Sequence, residues 1–128
     1  MHTAGVAVRR VAGRQGRALP ATIEALLRDC DRLLAQYAPR WLGHCKVLAE
    51  TADGAAYASL TGAGEPISWS GTLPQHIDQA MITVYGAVYG ASDEVVAAAL
   101  DAAMASHLPD AVAAPREAPD TLIAPEAL

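Results

Sequence analysis

The stretch "WLGHCKVLAETADGAAYASLTG", Trp41 to Gly62, decides the fold. Its middle holds Asp53-Gly54, the strongest short hairpin signal in the chain. With those two residues as the turn, Ala52 faces Ala55, Thr51 faces Ala56, Glu50 faces Tyr57, Ala49 faces Ala58, Leu48 faces Ser59 and Val47 faces Leu60. Side chains alternate along a strand, so two faces separate. One carries Cys45, Val47, Ala49, Ala58 and Leu60. The other carries His44, Lys46, Leu48, Glu50, Tyr57 and Ser59. An apolar face backed by a mixed one is the pattern of a half-buried antiparallel sheet. His44 and Cys45 are adjacent, so they point to opposite faces and do not share a ligand unless a bulge intervenes.

The flanks supply two helices. Before the hairpin, Ile23, Leu26, Leu27, Cys30, Leu33, Leu34 and Tyr37 repeat at helical spacing, with Arg28, Asp29, Asp31 and Arg32 on the other side. Pro20 suits a first turn, and Pro39 ends the helix. After the strands, "SDEVVAAALDAAMASHL" opens on a capping Ser92 or Asp93 and buries Val95, Val96, Ala99, Leu100, Ala103 and Met104. His107 falls in its last turn, where a cationic group favours the negative end of the dipole. Between hairpin and second helix, Ile67-Ser68-Trp69 reads as a third strand and "MITVYGAVYG" (81–90) as the longest. Its Gly86 and Gly90 suggest a bulge or a close backbone approach.

Both helices need the same apolar sheet face, so the expected fold is an α+β two-layer sandwich, a mainly antiparallel sheet with two amphipathic helices on one side. Residues 1–19 read as a flexible basic segment in which Val6-Ala7-Val8 can pair as an edge strand. Residues 20–108 form the working domain, and the proline-rich 109–128 a disordered tail.

Composition narrows function. Alanine dominates the apolar residues and phenylalanine is absent, so the core is thin and burial between subunits would help it. The net charge is −5 with one lysine, Lys46, which argues against a nucleic-acid partner. No run of apolar residues reaches membrane-spanning length and no leader pattern is visible, so the cytoplasm is the expected compartment. Two cysteines, Cys30 and Cys45, make no disulfide framework. Cys30 reads as a small buried hydrophobe.

Chemical motifs are sparse. No phosphate-binding loop occurs, and "GAGEP" (62–66) lacks dinucleotide spacing. CxxC, HExxH and DxDxDG are all absent. A transition-metal site would have to be assembled from His44, His76, Asp78 and another residue. A nucleophilic site would need Ser68 or Ser70 beside His76, without a nucleophile elbow. The expectation is therefore a non-enzymatic interaction module that self-associates or docks on a protein partner. Its binding surface is the uncovered sheet face, with His44, Lys46, Tyr57, Tyr85 and Tyr89. The alternatives are a metal- or cofactor-handling domain using His44 and His76, and a small enzyme with a site at the 61–76 loop.

The segments "WLGHCKVLAE", "YASLTG" and "LPQHIDQAMITVYGAVYGASDEVV" together resemble the region downstream of the GTPase core in CobW-type metal-chaperone GTPases. The likeness covers residues 41–104 and rests on Gly43, His44, Lys46, Tyr85 and Gly90. This chain shows neither a nucleotide-binding domain with its Walker lysine nor a metal-binding cysteine motif. The resemblance implies an accessory domain that docks on another body, in metal or cofactor handling, and implies no GTP hydrolysis.

Overall fold

A computed structural model describes residues 3–14, 19–74, 77 and 79–113. In chain order they form β1 (Ala4–Arg14), α1 (Leu19–Tyr37), β2 (Leu42–Thr51), β3 (Gly54–Gly62), β4 (Ser68–Gly71), β5 (Gln79–Tyr89), α2 (Asp93–His107) and β6 (Val112–Ala113). The strands make one sheet in the order β4-β3-β2-β5-β1-β6 with antiparallel pairing throughout. Both helices lie on one side of it, giving the α+β two-layer sandwich that the alternation demands. Among the described residues no helix is long and apolar enough to cross a membrane.

The first strand corrects the reading of residues 1–19 as a flexible lead or short edge strand. β1 is eleven residues long and pairs with β5 along its whole length, from Ala4 opposite Tyr89 to Arg14 opposite Gln79. Alternation explains it. Gly5 and Ala7 turn to the helices and are buried, while Val6 and Val8 turn away. Gly and Ala are weak strand signals, so the local pattern undersold a strand that tertiary pairing completes. Arg9 is no tail cation either. Its guanidinium forks onto Asp101 of α2, with Nε donating at 2.7 Å and Nη2 at 3.2 Å. That hydrogen bond raises the Arg9 pKa from its ordinary value. At the other end, Val112 and Ala113 pair with Ala12 and Val11, so part of the expected disordered tail closes the sheet edge. The rest of the tail, 114–128, lies outside the described residues, as do 1–2 and 15–18.

The hairpin keeps its faces but not its register. The turn is Ala52-Asp53, with Thr51 opposite Gly54, so Leu48 rather than Glu50 faces Tyr57. A type I′ turn needs positive φ at both central residues, and no non-glycine residue here has one. Thr51 fixes the turn instead: its Oγ1 donates to the Gly54 carbonyl at 2.8 Å and accepts the Asp53 N–H at 3.2 Å. The slip moves each partner by two positions, an even number, so every side chain stays on its expected face. The strand expected at Ile67–Trp69 is β4, which starts one residue later and runs to Gly71.

The irregularity expected in β5 sits in β2. Pairing of β2 with β3 shifts between Leu42 and Cys45. Gly43 lies in that shift with φ +153°, and a Cβ there would meet the Ala87 carbonyl oxygen at 2.0 Å. Gly86 is a close approach of another kind: α2 rides over it, and a Cβ would come within 2.8 Å of Val96 Cγ1.

The core lies between sheet and helices. α1 contributes Leu19, Ile23, Leu26, Leu27, Cys30 and Leu34, and α2 contributes Val96, Ala99, Leu100, Ala103 and Met104. Tyr37, assigned to the α1 stripe, is 55% exposed: it is the last helical residue and projects beyond the packed face. Ser92 caps α2 by accepting the Val95 N–H, and Asp93 accepts the Val6 N–H at 2.8 Å, tying the helix start to β1.

Candidate functional site: the uncovered sheet face

The register places the outward side chains in rows across four long strands. In the order β1, β5, β2, β3 the rows are Val8, Tyr85, Lys46, Ser59; then Arg10, Thr83, Leu48, Tyr57; then Ala12, Met81, Glu50, Ala55. Above them, Val6, Ala87 and His44 form a further row, and Ala4 and Tyr89 another. Among the described residues no helix lies over them. On this face Val6, Val8, Tyr57 and Tyr89 are exposed large hydrophobics, with Tyr89 at 57%. Tyr85, Leu48 and Met81 are half-buried. An apolar surface built from consecutive rows is unlike the scattered single hydrophobes that any surface carries.

All five residues expected on the binding surface stand on this face. Lys46, Tyr57 and Tyr85 are gathered at its middle, while His44 and Tyr89 lie towards one end. Lys46 folds its ammonium over the Tyr57 ring, 4.7 Å from the centroid. Tyr57 is its diagonal neighbour, and this cation–π contact lets the stem lie on apolar surface while the charge stays favourably placed. Glu50 stands two side-chain positions along the same strand.

His44 is exposed and Cys45 is fully buried beneath the helices, so the two point to opposite sides despite the nearby bulge. Among the described residues no group of three or more His, Cys, Asp or Glu side chains could hold a metal. His76 and Asp78 lie outside the described residues. Both cysteines are free and buried. Burial pushes the Cys45 thiol up to about 12, with the nearby Asp31 charge adding to it. Burial, with Cys45 and then Asp29 and Asp31 adding, pushes the Cys30 thiol up further. Neither thiol is nucleophilic near neutrality.

The 61–76 loop is largely structural in its described part. Trp69 is tied to α1, its indole N–H donating to Glu24 at 2.6 Å. Ser70 stands opposite Tyr57 and Ser68 opposite Ser59 on the outer strand. A cavity of about 590 Å³ opens at the other end, by the hairpin turn, lined by Glu50, Thr51, Asp53, Ile77, Gln79 and Met81 among others. It carries two carboxylates and, among the described residues, no nucleophile beside a base.

Sequence reasoning missed Asp31. It sits on the polar side of α1, yet its Oδ1 accepts the Trp41 indole N–H at 2.9 Å and its Oδ2 accepts the Gly64 N–H at 3.0 Å. Arg28 completes the cluster by donating to the Glu65 carbonyl at 2.8 Å. A charged residue ten positions before a tryptophan offers no local signal of such a contact. It holds α1 against the end of the hairpin that presents the face. No protein-family model, no curated protein and no solved structure matches this chain.

Proposed function

We propose that this chain is a small non-enzymatic binding module that works through the uncovered face of its sheet. The observation that carries the reading is the set of consecutive outward rows rich in Val, Leu, Met and Tyr, which no part of the described chain covers. Tyrosines with an apolar body and a polar tip suit a surface that is wet at one time and buried at another. Arg10, Lys46 and Glu50 give that surface charges with which to fix register. The implication of the resemblance over residues 41–104, an accessory domain that docks on another body, points the same way.

A photo-crosslinking residue placed at Tyr85 tests the reading in the cells that express the protein. Illumination is expected to yield discrete adducts from position 85. The same residue at Gln36, exposed at the end of α1, should yield none. Equal labelling from both positions, or no adduct from position 85, would remove the proposal.

A further inference from the structure

The geometry points to a second copy of this chain as the occupant of the open face, stacked face to face about a two-fold axis along the row Arg10, Thr83, Leu48, Tyr57. This rests on the reading of the face as a binding surface and names what binds there.

The first support is the placement of charge. Lys46 and Glu50 lie on β2 at equal distances on either side of Leu48. A two-fold axis in the plane between the copies, running across the strands through Leu48, reverses the strand direction while keeping each strand over its own image. Lys46 of one copy then stands opposite Glu50 of the other, and the pair occurs twice. Among the described residues, neither makes an ion pair within its own chain. The same operation lays Tyr85 against Met81 and Val8 against Ala12, large against smaller, as interdigitating sheets require. Leu48 and Thr83 meet their own images at the centre. Arg10 also meets its own image, a like-charge contact, but on β1 at the rim of the four-strand face rather than at its β2–β5 centre.

The second support is area. Four strands about 4.8 Å apart, over about nine residues at 3.3 Å each, present on the order of 600 Å² per copy. Two copies together bury on the order of 1,200 Å², which reaches the lower end of specific protein interfaces. A thin, alanine-rich core gains from that burial.

The test is a charge-reversal cycle on the full chain, read by sedimentation equilibrium, with circular dichroism to confirm folding. The wild type is expected to be a dimer. K46E and E50K are each expected to weaken dimerisation about tenfold or more, because each creates two like-charge contacts. The K46E/E50K double variant regenerates both pairs and is expected to return to within about threefold of wild type. A monomeric wild type, a dimer indifferent to the single reversals, or a double variant as weak as the sum of the singles would each overturn the inference. The crosslink at position 85 separates this failure from failure of the binding-module reading. Adducts of other masses with a monomeric chain keep the module and discard the second copy, whereas no adducts discard both.

Discussion

Asp31 shows how much one side chain carries. Its two oxygens serve a buried indole N–H and a backbone N–H from elements far apart in sequence. Asp31→Ala leaves the Trp41 donor unsatisfied in a site where Trp41 is 2% exposed. The expected cost is about 1–3 kcal/mol in urea unfolding, with Trp41 fluorescence following the same transition. The thiols give a second residue-scale test. Cys30 and Cys45 are ionised less readily folded than unfolded, so the folded state holds their protons more tightly. Their contribution is fully present below the unfolded pKa. It falls as pH rises through the window between the ordinary thiol value of 9.0 and about 12 for Cys45. Stability should therefore be insensitive to these groups at pH 7 and fall above pH 9 by about 1.4 kcal/mol per pH unit for each thiol. Cys45→Ala halves that slope, at the separate cost of a small cavity. A water-soluble disulfide reagent at pH 8 should find no thiol in the folded protein and two in denaturant.

Among the elements, the glycines of the central strands separate two kinds of constraint. Gly86→Ala sets a methyl against Val96 Cγ1, a stiff β-branched neighbour on a helix that can shift slightly. About 1–3 kcal/mol is expected, with the fold retained. Gly43→Ala meets a backbone carbonyl of β5 and a φ that side chains rarely adopt, so neither partner can yield. It should cost about 3 kcal/mol or more and loosen β2 from β5 at that end, read as faster amide exchange at Gly43 and Val88. Elements with strong period were legible from local sequence: α1, α2 and the faces of β2 and β3 all follow from spacing. β1 was not, because its two glycines and three alanines carry little strand preference. It becomes a strand only because β5 offers a matching edge and α2 covers its inner side.

At the scale of the whole molecule, the described residues form a sandwich with one side left open. If a second copy closes it, folding and association are linked, and the unfolding midpoint should rise with protein concentration. Scans at several concentrations measure this, and a K46E variant should flatten the dependence. Closing the face with one's own image also shields tyrosine and valine rows that would otherwise invite indiscriminate association.

What the sequence determined alone was local: which residues alternate, which repeat every third or fourth position, and hence that two helices share one face of an antiparallel sheet. His44, Lys46, Tyr57, Tyr85 and Tyr89 could be assigned to the other face because side-chain parity survives even a two-residue slip. Strand order, the bulge at Gly43, the Asp31 staple and the equal offsets of Lys46 and Glu50 about the Leu48 row were decided by tertiary structure. Each depends on which strands become neighbours and in what register. That choice is made by burial and backbone pairing between segments tens of residues apart, and no local window contains it.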